Sequence, residues 1–110
     1  MPADSEQVCL QMILHAGNAR AAAYQALASA ALGDFPAAQA SLEEADRELA
    51  LSQRQHQAAL AAEAQGVAAH PTLLLVHAED QLMTASSERT LVEQVVQLYR
   101  RLDERCPRPT

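Results

Sequence analysis

From residue 5 to residue 33, apolar residues return every three or four positions at Val8, Met12, Ala16, Ala19, Ala23 and Leu27, the spacing of one face of an α-helix. Leu10, Leu14 and Tyr24 broaden that face. Asp4 or Ser5 can cap the free N–H groups at its start, and Gly33 ends it. The stretch "LGDFPAA" then joins a stop to a start. Gly33 suits the left-handed C′ position, Asp34 a cap, and Pro36 a first turn where its missing N–H is harmless. So tight a turn lays a second helix antiparallel to the first, with an apolar stripe at Ala38, Leu42, Ala45, Leu49, Ser52, His56 and Leu60. Glu43, Glu44, Asp46, Arg47 and Glu48 form its outer, solvated face. Gly66 and Pro71 bound a second connection, and a third helix is predicted from about Thr72 to Arg105. "TLLLV" alone reads equally as a buried strand; the continuation through Leu91, Val92, Val95, Val96, Tyr99 and Leu102 decides for helix. Arg100, Arg101 and Arg105 suit the negative end of its dipole, and Pro107 and Pro109 stop it.

The third helix carries two apolar stripes. Leu75, Ala78, Leu82, Ala85, Val92, Val96 and Tyr99 suit packing within the chain. Leu73, Val76, Asp80, Met83 and Ser87 form another, at the three-four spacing of a helical interface and with a carboxylate in its middle. An ionised carboxylate in such a seam must be hydrated, matched by a cation or protonated. On a symmetry axis, copies of Asp80 would converge and favour a hard cation such as Mg²⁺, which takes oxygen ligands. Spacing alone leaves this open against an ordinary surface aspartate. Gly17 likewise reads either as a close approach by another helix or as a tolerated small defect.

Composition sharpens the fold class. Hydrophobic residues make up 49% of the 110 residues but aromatics only 3%, so the apolar content is mainly Ala and Leu, the strongest helix formers. The expectation is one all-α domain over residues 1–110, an antiparallel three-helix bundle. Buried alanines remove little area from water, so a monomer of this kind is marginal and association is expected to supply the missing burial. A formal charge of −6 disfavours nucleic acid and anionic membrane surfaces. No apolar run approaches the roughly 18 residues of a membrane span. Cys9 and Cys106 stand far apart, without a C-x-x-C pair, and the N-terminus lacks a basic segment followed by a long apolar run; the expected location is the reducing cytoplasm.

The candidate chemistry gathers in "LLLVHAEDQLMT", residues 73–84. His77 precedes Asp80 by three positions and Thr84 by seven, so the three share a face, with Gln81 one turn along on the flank and Glu79 pointing nearly the opposite way. That places an imidazole beside a hydrogen-bonding rim at a subunit border. On spacing alone it also fits a histidine bonded to a carbonyl, or one exposed without a role. His15 lacks acidic neighbours on its own helix, His56 interrupts the second helix's stripe, and His70 falls in the loop near the third helix's cap; all three read as structural or solvated. H-E-x-x-H, Cys/His zinc spacings, Gly-rich phosphate loops and G-x-S-x-G are all missing, so the sequence offers no zinc, nucleotide or serine-hydrolase motif.

"LLLVHAEDQLMT" resembles the motif L-L-L-V-H-A-Q-D-H-L-M-T of the lactose/cellobiose-type IIA components of the bacterial phosphoenolpyruvate-dependent sugar phosphotransferase system. "AGNARAAAYQAL", "GDFPAAQASLEEA" and "LVEQVVQLYRRL" extend the resemblance from about Val8 to Leu102. It implies a homotrimer of three-helix subunits, a nine-helix assembly. It also implies a phosphoryl group carried on Nε2 of the motif histidine, His77, and a divalent cation such as Mg²⁺ held on the threefold axis by the motif aspartate, Asp80. The implied partners are the phosphocarrier HPr as donor, a IIB component whose cysteine is the acceptor, and, indirectly, the membrane-embedded IIC permease.

The chain departs from that pattern in two places. The motif's Gln is Glu79 and its second His is Gln81. On the second helix, where the pattern has A-H-x-x-Q, this chain has Ser52, Gln53 and His56, nearly an exchange of the two polar types. Gln81 can hydrogen-bond a phosphoryl oxygen but brings no positive charge; His56 can bring one if it lies near the site. The departures keep two other readings open: a trimeric helical adaptor or regulatory module without phosphotransfer, and an unrelated helical interaction domain.

Overall fold

The computed structural model describes residues 5–66 and 72–106. They form three helices, α1 (Ser5–Ala31), α2 (Phe35–Ala64) and α3 (Leu73–Arg105), running up, down and up. Among the described residues there is no strand, and the ambiguous run at Leu73–Val76 is helical. Asp4, His70, Pro71, Pro107 and Pro109, given roles in the sequence reading, lie outside the described residues.

The α1–α2 turn is built as its residue types require. Gly33 has φ 82°, a left-handed conformation that a residue with a Cβ adopts at a cost. Its N–H donates to the Ala30 carbonyl (2.9 Å) and the Asp34 N–H to the Ser29 carbonyl (2.9 Å), the paired bonds of a Schellman stop. The Asp34 carboxylate then accepts from the Ala37 N–H at 3.1 Å, with Pro36 in the first turn of α2. Replacing Asp34 with Ala should lower unfolding free energy by about 1 kcal/mol per chain. The denaturant midpoint should fall at an unchanged m value; an unmoved midpoint would deny the cap its role. Thr72 caps α3 in the same way, its hydroxyl accepting from the Leu75 N–H at 3.0 Å.

Two clusters make the core. Val8, Cys9, Met12, Ala16 and Ala19 of α1 meet Leu49 of α2 and Ala78, Leu82 and Ala85 of α3; further along, Ala23, Ala26 and Ala30 meet Ala38, Leu42, Ala45, Val92 and Val96. The predicted inner stripes therefore hold for α1 and α3, with Leu27, Leu75 and Tyr99 partly buried at their edges. On α2 the stripe ends at Ser52, whose hydroxyl donates to the Met12 carbonyl at 2.9 Å; beyond it His56 is half-buried and Leu60 half-exposed. The bond to α1 satisfies a hydroxyl that is fully buried between the two helices.

Two expectations change and an open one is decided. Leu10, Leu14 and Tyr24 do not widen the core face of α1 but stay about half-exposed. A Cβ built on Gly17 meets no atom within 4 Å, so no helix of this chain approaches there, which leaves the tolerated small defect. The acidic run on α2 is only partly solvated: Asp46 accepts from Arg89 of α3 (2.9 Å), and Glu48 binds His15 and Asn18 of α1 at 2.7 and 3.2 Å.

Candidate functional site

His77 lies on the second turn of α3, and its side chain is exposed. At about 100° per residue, Gln81, Thr84 and Glu88 lie along the same flank of the helix. That flank faces α1, because Glu88 receives two hydrogen bonds from the Arg20 guanidinium, at 2.9 and 3.0 Å. The bond to Arg20 holds the Glu88 carboxyl below its usual range. Asp80 is exposed and leaves the helix about 60° further round, away from α1. His77 thus sits between the α1-facing flank and the second stripe.

That stripe runs the whole length of α3. Leu73 (86% exposed), Val76, Met83 (68%), Leu91 (65%), Leu98 and Leu102 are uncovered, with Asp80, Ser87 and Gln94 between them at seven-residue intervals. Ser86, Ser87, Thr90, Leu91 and Gln94 line an open, shallow groove along it. On α1, Leu10, Leu14, Tyr24 and Leu32 form another exposed row, with Gly17, Ala21 and Ala28 between them.

Polar partners separate the histidines. His15 Nδ1 lies 2.7 Å from Glu48 Oε2, so the acidic companion absent from its own helix comes from α2. The His56 Nε2–H donates to Glu79 Oε2 at 3.3 Å, across α2 and α3. By contrast, no hydrogen bond or ion pair to another described residue holds His77, Asp80 or Gln81. The structure brings His56 to Glu79, on the side of α3 nearly opposite His77, and within one chain it does not bring His56 to the His77 flank. Neither pairing had a local sequence signal: His15 and Glu48 are separated by 33 positions, His56 and Glu79 by 23.

The two thiols differ sharply. Burial pushes the Cys9 thiol above its ordinary range, and the Glu79 carboxylate adds to the shift, whereas Cys106 is exposed. Thiolate is the reacting form. A disulfide reagent should therefore titrate one thiol per native chain promptly and the second only on denaturation; two equally fast native thiols would contradict this placement of Cys9.

Residues 7–100 match the family model for the lactose/cellobiose-specific IIA subunit of the phosphotransferase system. The chain belongs to that IIA family. It is 36% identical over 104 residues to the lichenan-specific phosphotransferase enzyme IIA component of Bacillus subtilis, covering 94% of each chain. It is 33% identical over 97 residues to the N,N'-diacetylchitobiose-specific EIIA component of Escherichia coli K12, covering 88% of this chain and 84% of that one. The crystal structure of the cellobiose-specific enzyme IIA from Bacillus anthracis superposes with a TM-score of 0.88 at 31% identity, covering 94% of this chain and 95% of that chain.

In this IIA-family chain the two exposed apolar rows run along a rod 61 Å long and 18 Å wide, and the two bare polar groups, His77 and Asp80, stand near one end of it. The accessible surface of 7213 Å² exceeds the roughly 5,900 Å² expected of a monomer of this mass. Among the described residues, no three His, Cys, Asp or Glu side chains of one chain gather as a metal-binding set, and no helix is long and apolar enough to cross a membrane. Asp80 is the carboxylate on the α3 seam, and its oxygens are the donor type that hard divalent cations take.

Proposed function

We propose that this IIA-family chain is a cytoplasmic phosphohistidine carrier for the uptake of a lactose-, cellobiose- or chitobiose-type sugar. One observation carries the reading: of the histidines described, His15 and His56 are each tied to a carboxylate, while His77, in the family's motif, is exposed and untied. A nucleophilic nitrogen must keep its lone pair free and reachable. In the first transfer, an imidazole nitrogen of His77 attacks the phosphorus of phospho-HPr; the new N–P bond forms as the one to the HPr histidine breaks. In the second, a cysteine thiolate of the IIB component attacks, an S–P bond forms and His77 leaves as imidazole. The chain never touches the sugar; IIB hands the group on during passage through the membrane IIC permease. Gln81, on the His77 flank, is placed to donate to a phosphoryl oxygen, where charge spreads over the transferring group.

The working unit in this proposal is a homotrimer, nine helices in all, with the α3 seam on the axis. A threefold arrangement buries the exposed rows of α3 and α1 and supplies what an alanine-rich core lacks. It brings three copies of Asp80 together, an all-oxygen set that suits Mg²⁺ or a similar cation. The ion would neutralise three carboxylates that otherwise repel one another. Chelator should weaken the wild-type trimer in sedimentation, and Asp80→Asn should remain trimeric but lose that sensitivity. Metal-free, chelator-indifferent trimers in both proteins would remove the axial ion.

The carrier reading is tested by incubating the chain with phosphoenolpyruvate, enzyme I and HPr. The expected product carries one acid-labile phosphate per chain. A chain left unlabelled beside fully phosphorylated HPr would end the carrier reading in favour of an adaptor.

A further inference from the structure

The end of the rod that bears His77 is thinly packed. From Gln53 to Ala64, α2 buries no residue, and at the start of α3 nothing is buried before Ala78. Here the core is Val8, Cys9 and Met12 against Ala78 and Leu82, with Ile13, Ala59, Leu74 and Leu75 only partly buried against it. Glu79 stands at its edge. The carboxylate accepts the His56 hydrogen bond from α2, so a side chain of α3 two residues from His77 is tied to the neighbouring helix. Another ion-paired link between α2 and α3, Asp46–Arg89, lies ten positions further along α3. Glu79 and His56 are also two of the positions at which the chain departs from its family's polar pattern, and both members of the departure meet.

We infer that the His56–Glu79 pair positions His77: it pins the first turns of α3 to the end of α2 and so sets where the His77 ring stands. The reasoning follows from spacing and rigidity. His77 is two residues from Glu79 on the same helix, and phosphoryl transfer falls steeply when reacting groups are displaced by about 1 Å. Without His56 the Glu79 carboxylate, its side chain 40% exposed, turns to water, and the first turns of α3 lose an ion-paired tie to α2 and gain freedom to shift. Glu79 and His56 touch no reacting atom. Their exposure keeps the pair's effect modest.

This assignment rests on the carrier reading, and its test separates the two. Phosphoryl uptake from phospho-HPr is timed for wild type, His56→Ala, His56→Gln and Glu79→Gln, and amide hydrogen exchange is followed over residues 73–82 in each unphosphorylated protein. His56→Ala should lower kcat about two- to fivefold at an unchanged KM for phospho-HPr, with faster exchange in that segment. His56→Gln keeps a donor toward the carboxylate and should restore both. Glu79→Gln leaves no unmatched charge and should fall between them. Wild-type rates and exchange in His56→Ala would overturn the inference. So would a raised KM with exchange unchanged, since His56 would then be contacting the partner. If wild-type protein takes up no phosphate, the carrier reading fails on its own, and the exchange measurements alone decide whether the pair holds α3.

Discussion

His77→Ala should fold and assemble like the parent chain yet take up no phosphoryl group, a fall of at least about a thousandfold, to the background of the assay. The ring is exposed and no described residue bonds it, so its removal opens no cavity and strands no partner. Helical content and sedimentation should match wild type. His15→Ala serves as the counterpart: it breaks the bond to Glu48 and loses some stability, but should still be labelled at one phosphate per chain. Phosphate retained by His77→Ala, or lost with His15→Ala in a folded protein, would move the carrier to another residue.

The second large effect is on assembly. Met83→Glu places a carboxylate in the exposed row of α3, one turn from Asp80. If that row lies on the axis, the substitution loses the burial of three methionines, roughly 5–9 kcal/mol per trimer at 1.5–3 kcal/mol each, and adds three converging charges. Sedimentation at micromolar concentration should then find monomers, with labelling by phospho-HPr reduced. Arg54→Glu changes charge in the same sense on the exposed outside of α2 and should leave the mass unaltered. A Met83→Glu protein that keeps the mass of the parent would take this row of α3 off any subunit interface.

Local chemistry was the most legible layer of this sequence. Gly33, Asp34 and Pro36 each act within a turn, so their residue types alone predict the first connection and its cap; Thr72 reads from sequence only as the start of α3, and its capping bond is seen in the structure. The inner stripes of α1 and α3 were also readable, because burial repeats with the helical period. What the sequence could not supply is which faces meet. Glu48 looked like one more solvated carboxylate until α1 brought His15 beside it. Leu60 continues the period of α2 in sequence but stays half-exposed, and beyond Ser52 it is the small Ala59 that packs against the core. Leu10 and Leu14 look like core residues by composition and spacing; in one chain they face outward, because α2 and α3 already occupy the other sides of α1.

The site shows the same division. The histidine and aspartate stand out through the twelve-residue motif, whereas their spacing also fits ordinary surface positions. That His77 is bare while two other histidines are tied is visible only once the helices are packed. Glu79 and Gln81, departures by sequence, take opposite sides of α3: one bonds across to α2, and the other stays beside His77.

Parallel packing of α1 and α3 also gives the rod a polarity useful at the bench. Val8 and Cys9 lie level with Ala78, so polypeptide fused ahead of Ser5 would emerge next to His77. Polypeptide attached after Arg105 would leave 28 residues further along α3, about 42 Å away at 1.5 Å per residue. In the proposed trimer all three imidazoles would lie toward one pole, so fluorophores or purification handles belong at the opposite pole, away from His77.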